Sequence, residues 1–182
     1  TGFGKDVGSE LVGHPLVKKI GFTGSDATGR AINELAAKSF KRVTLELGGK
    51  SPNIVFDDAD LEAALPVIVN AIIQNAGQTC SAGSRVLIQR GIYETVLQKL
   101  AERVGALRAG PPALELEMGP LVNRKQYDVV RGFVQKAEAA NIPVAARGTL
   151  HPDAAAAGFY QQAVLFRDVP PDSEIAQKEI FG

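Results

Sequence analysis

Cys80 is the only cysteine in this chain of 182 residues, and it lies in a run of small and polar residues, GQTCSAGSR, residues 77–85. A thiolate attacks carbonyl carbon well even when only a few per cent is ionised at neutral pH. Gly77, Ser81, Ala82 and Gly83 would let a substrate approach, and backbone N–H groups in such a loop would stabilise an oxyanion. The alternative is a small packed side chain, the commonest fate of a free cysteine. Glu46 is the second candidate. It follows an apolar strand pattern in LELGGKSP, residues 45–52, directly before Gly48 and Gly49. Partial burial would raise the proton affinity of such a carboxyl and suit it to general-base work. Otherwise it is an exposed edge-strand residue beside a turn.

A third stretch, GFTGSDATG at 21–29, ends a strand at a glycine and opens a helix. The N–H groups and dipole of that helix would suit a phosphate, with Ser25 adding a hydroxyl. Gly24 and Gly29 are five apart, so the G-x-G-x-x-G fingerprint is absent, and a plain strand–helix turn capped by Ser25 also fits. His14 and His151, the only histidines, each precede a proline and read as turn or surface residues. Neither has a carboxylate or cysteine partner at ligand spacing, so no metal site is expected.

The elements that must position these residues follow from periodicity. Apolar runs rich in β-branched residues alternate with helical patterns, which predicts an α/β fold with parallel strands and crossover helices. Strands are expected over 16–24, 41–47, 53–58, 85–89, 142–148 and 160–169. Helices are expected over 25–39, 60–76, 92–107 and 124–141, the second capped by Asp58 or Asp60. Pro66 inside the second helix predicts a weak first half or a kink. Residues 108–123 and 151–158 read as loops. A boundary is expected near the double glycine, dividing the chain into 1–47 and 48–182.

Composition narrows the function. Lys plus Arg and Asp plus Glu are 20 each, and the net charge is zero. That balance points to neither nucleic acid nor an anionic membrane surface. No apolar run reaches membrane-spanning length. A single cysteine allows no internal disulfide, and the expected setting is reducing and cytoplasmic. The chain begins with Thr1 and stops at EIFG, residues 179–182, which is expected of a fragment of a longer protein.

Four stretches, in order, resemble the aldehyde dehydrogenase superfamily: FTGS (22–25) with Gly29, LELGGKSP (45–52), GQTCSAGSR (77–85) and EIFG (179–182). The resemblance covers essentially the whole chain, and the 34-residue step from Glu46 to Cys80 fits it. It implies the end of a dinucleotide-binding domain over 1–47, then a catalytic domain over 48–182 that is incomplete at its C-terminus. It implies that Cys80 is the nucleophile and Glu46 the base, oxidising an aldehyde to a carboxylic acid with NAD or NADP through a thiohemiacetal and a thioester. Gly24, Ser25 and Gly29 would meet the pyrophosphate side of the cofactor, and Leu47 the nicotinamide amide. Glu179 would hold ribose hydroxyls, and Phe181 would pack near the nicotinamide. Relatives that pass the acyl group to coenzyme A commonly lack the glutamate, so Glu46 favours hydrolysis. The other readings are an acylating or phosphorylating semialdehyde dehydrogenase, and a non-catalytic binding or oligomerisation module. The resemblance further implies a homo-dimeric or homo-tetrameric parent. It also implies an oxyanion asparagine and adenosine-ribose residues upstream of this stretch, so residues 1–182 alone are not expected to catalyse.

Overall fold

The computed structural model describes residues 1–154 and 158–182 and separates into two compact units, Thr1–Gly48 and Gly49–Gly182.

The first unit is a strand–helix–strand module preceded by a short helical lead. A π-helical turn over Gly4–Gly8 runs into α1 (Ser9–Gly13). β1 (Lys19–Thr23) and β2 (Arg42–Glu46) pair in parallel, from Lys19 opposite Arg42 to Thr23 opposite Glu46. α2 (Asp26–Ala37) is the crossover between them. Such a pair needs a crossover because parallel strands cannot be joined by a tight hairpin. Ser25 starts α2: its Oγ accepts the Thr28 N–H at 3.4 Å. Burial alternates along both strands, so Ile20, Phe22, Val43 and Leu45 turn inward while Thr23 and Glu46 turn outward. Lys41 Nζ donates to the carbonyls of Val12 and His14, each at 2.6 Å, and ties the lead to the start of β2.

The second unit holds the larger core. β3 (Pro52–Val55) and β4 (Arg85–Ile88) are parallel, with Pro52 opposite Arg85 and Val55 opposite Ile88. α3 (Leu61–Ile73) connects them, and Asp60 is the cap, accepting from the N–H groups of Glu62 and Ala63 at 3.1 and 3.2 Å. Pro66 neither breaks nor shortens this helix, which runs on to Ile73. α4 (Tyr93–Gly105) follows. Leu65 and Val96 are fully enclosed, and Val55, Ile68, Leu100, Val104 and Met118 pack with them. After β5 (Arg108–Ala109) the chain reaches α5 (Arg124–Ala139), capped by Asn123. Then come β6 (Val144–Arg147), β7 (Thr149–Leu150), β8 (Val164–Phe166) and α6 (Glu174–Gln177).

The α/β alternation is as expected, with four departures. β6 and β8 pair antiparallel, with an irregularity between Val144 and Ala146. The strand expected over 160–169 is confined to β8. The 108–123 segment, expected to be a loop, contains β5, which pairs with β7. The short helices before residue 16 and at 174–177 were not anticipated. Residues 155–157, part of the loop expected over 151–158, lie outside the described residues. Among the described residues no helix is long and apolar enough to cross a membrane, and no cluster of His, Cys, Asp and Glu could hold a metal ion.

Candidate active site

The thiol loop grows out of the end of α3. Asn75, Ala76 and Gly77 all have positive φ, at 52°, 53° and 77°. This left-handed run turns the chain out of the helix, and only glycine adopts that backbone without steric cost. Ala76 is nevertheless buried, packed with Leu121 and Val130. Cys80 lies in the turn that follows, closed by the Ala82 N–H donating to Thr79 O at 3.1 Å. Cys80 is exposed rather than packed in a core. The return path is pinned twice: Gly83 N–H donates to Ala71 O at 2.9 Å, and Asn53 Nδ2 donates to Gly83 O at 3.2 Å.

Gly49 sets the inner wall of this loop. A β-carbon there would fall inside the van der Waals radius of the Cys80 carbonyl oxygen, a backbone atom with no rotamer to yield. Replacing Gly49 by alanine is therefore expected to displace the thiol turn and cost about 1–3 kcal/mol of stability. Thermal unfolding and the alkylation rate of Cys80 would both register the change; an unchanged alkylation rate would show that the turn is not held from this side.

Glu179 meets the same glycine. Its Oε1 accepts the Gly49 N–H at 3.2 Å. Gly49 thus touches the Cys80 backbone and the Glu179 carboxylate, bringing two of the anticipated residues to one backbone segment. Phe181 is exposed and has φ 60°, unusual for a side chain of its bulk. Gly182 closes against Gly77, where an added β-carbon would lie 2.7 Å from the Gly182 carbonyl carbon.

Lys50 is a residue the motif reading passed over. Burial and the nearby Arg85 guanidinium pull its ammonium down to about 8, against the opposing pull of Glu179. Arg85 Nε also donates to Lys50 O at 3.0 Å. The available signal was a lysine wedged between Gly-Gly and Ser-Pro, where the chain must pass close to other backbone. Because the amine binds fewer protons folded than unfolded between pH 8 and 10.5, Lys50 makes stability rise with pH across that window. Amine acylation of Lys50, followed by peptide mass spectrometry, is expected to reach half its maximum near pH 8.

The first unit carries the remaining anticipated residues. Gly24 N–H donates to Glu46 O at 3.0 Å, so the glycine turn is tied to the end of β2. Asp26 Oδ1 accepts the Gly48 N–H at 3.2 Å. Gly29 is buried, and a β-carbon there would lie 2.6 Å from Leu47 Cδ2. Helix α2 therefore sits close on the segment after β2, as its glycine requires. Ser25 is exposed at the helix start, with its Oγ 3.0 Å from Thr28 Oγ1. Glu46 is exposed, on the outward face of β2, and lacks the partial burial on which its base chemistry was conditioned. The close helix–strand packing and open helix N-terminus fit a dinucleotide phosphate.

Comparison with known proteins agrees with these motifs. The model of the aldehyde dehydrogenase family matches residues 1–182. An aldehyde dehydrogenase of Aspergillus niger is 44% identical over 184 aligned residues, covering 100% of this chain and 36% of its own length. A crystal structure from Burkholderia cenocepacia, assigned to the aldehyde dehydrogenases, superposes with a TM-score of 0.97 at 53% identity, over 100% of this chain and 38% of that one. Aldehyde dehydrogenase C of Pseudomonas syringae, a cysteine-to-alanine mutant in complex with NAD+ and octanal, gives a TM-score of 0.92 at 35% identity, again over 100% and 38%. The chain thus spans little more than a third of the proteins it matches, and across all of that span it belongs to the aldehyde dehydrogenase family.

Proposed function

We propose that the whole protein oxidises an aldehyde to a carboxylic acid with NAD or NADP, and that residues 1–182 supply its nucleophile, its base and part of its cofactor site. The observation that carries this is an exposed Cys80 on a turn clasped by Gly49, in a chain that matches the family from end to end. The relative from Pseudomonas syringae, bound to NAD+ and octanal, supports both the cofactor and the substrate class. In this reading Thr1–Gly48 is the end of the dinucleotide-binding domain and Gly49–Gly182 belongs to the catalytic domain.

The Cys80 sulfur forms a bond to the aldehyde carbon, and the carbonyl π electrons move to oxygen. The Cys80 proton passes to Glu46, and the Cys80 backbone N–H stabilises the new oxyanion. Acceptance of hydride from that carbon is the chemistry a bound nicotinamide supplies. Glu46 then releases that proton to solvent, takes a proton from water, whose oxygen attacks the thioester carbon, and the sulfur leaves as thiolate. Ser25 and Gly24 would hold the pyrophosphate, Leu47 the nicotinamide amide and Glu179 the ribose, with Phe181 near the ring.

The test is an aldehyde panel assayed for NADH or NADPH formation with the full-length protein, with product analysis in the presence and absence of coenzyme A and phosphate. Free acid formed without either acceptor is the expected result. A thioester or acyl phosphate would transfer the protein to the acylating class, and no reduced cofactor with any aldehyde would remove the oxidation reading.

A further inference from the structure

Asn123 and Gln126 have the spacing of a capping box, in which the glutamine at the third helical position reaches back to the N–H of the cap residue. Only half of that box forms. Asn123 Oδ1 accepts the Gln126 N–H at 2.9 Å. The Gln126 carboxamide instead donates from Nε2 to Ile180 O at 3.0 Å and to Phe181 O at 2.7 Å. Both its N–H bonds go to successive carbonyls of a segment more than fifty residues away. In an extended strand successive carbonyls point to opposite sides, so one amide cannot reach both. The left-handed backbone at Phe181 is what turns them together. A local stabilising contact is given up, and a strained backbone is held in its place, which is the pattern expected at a functional site.

We propose that Gln126 is a positioning residue for the cofactor-ribose segment: its carboxamide clamps the backbone at Ile180 and Phe181 and so sets the aim of Glu179 and Phe181. This rests on the dehydrogenase reading above. Glu179 is gripped from two sides, by the Gly49 N–H on its carboxylate and by Gln126 on the backbone just beyond it. Gly182 completes the clamp by packing on the Val130 side chain of the same helix. The Cys80 side chain takes no part in these bonds.

The experiment uses the full-length protein with Gln126→Met, which keeps the length of the side chain and removes both donors. NAD+ affinity by titration calorimetry and KM for NAD+ are expected to weaken about 10-fold. KM for aldehyde and the rate of Cys80 alkylation are expected to stay within about twofold of wild type. Gln126→Lys, whose ammonium can donate to the same carbonyls, is expected to recover most of the NAD+ affinity. Unchanged NAD+ affinity in Gln126→Met overturns the proposal. So does a Met variant that fails to fold, or that loses aldehyde binding, alkylation and NAD+ binding together, because Gln126 would then be a general structural residue. A wild-type protein that binds neither NAD+ nor NADP+ would defeat the dehydrogenase reading itself, whereas wild-type binding left intact by Gln126→Met defeats only the clamp.

Discussion

Cys80→Ala in the full-length protein is expected to lower aldehyde oxidation by at least about 10⁴-fold, since no other thiol exists in this stretch to replace the nucleophile. Affinity for NAD+ should remain within about twofold, because Cys80 is exposed. Stability should move by no more than about 0.5 kcal/mol, as for other exposed substitutions. Reduced-cofactor formation, calorimetric NAD+ binding and thermal unfolding would be measured on the same preparation. Turnover within tenfold of wild type would remove Cys80 from the chemistry. Loss of activity together with NAD+ binding would show instead that the turn had collapsed.

Glu46→Gln is expected to separate the two halves of the reaction. Glutamine keeps the shape of the side chain and cannot take a proton from water. The first turnover should still release reduced cofactor, as a burst approaching one equivalent per site, while steady-state turnover falls by about 10²–10⁴-fold. Intact mass spectrometry should find the acyl group on the Cys80 peptide during that slow phase. Because Glu46 sits on the outward face of β2, the fold should not change. Normal steady-state turnover with no burst would mean that another group activates the water. A burst lost along with turnover would mean that Glu46 acts mainly in deprotonating the thiol.

Local periodicity carried most of the architecture. The strands at 19–23, 42–46 and 85–88 and the helices at 26–37 and 61–73 lie inside the spans predicted from alternating and 3.6-residue patterns, while β3 starts one residue before its predicted span of 53–58 and ends three residues short of it. The misses have a common cause, which is that they depend on partners distant in the chain. β5 and β7 are two residues each and exist only because they pair with one another, and two residues have no period. β6 and β8 are both apolar enough to be strands, yet nothing in either reveals an antiparallel partner. Pro66 read as a hazard, but its ring is accommodated within α3, which stays continuous around the buried Leu65. Within the candidate site, glycine and cysteine positions stood out by residue type. The left-handed conformation of Ala76 and Phe181 did not, because neither residue type signals it; packing against Leu121 and Val130 and the Gln126 clamp hold what propensity disfavours. Lys50 became visible only with Arg85 and Glu179 beside it.

The left-handed run at 75–77 also bears on how the protein is made. Ala76 gives up roughly 1–2 kcal/mol to hold that hand, and the apolar neighbours that restrain it are Leu121 and Val130. Val130 is translated 50 residues after Cys80. At about 5–20 residues per second a nascent chain carries its sulfur out of the ribosome some seconds before the support arrives. During that interval the thiol is present but unshaped, open to oxidants and without a wall on which to seat a substrate.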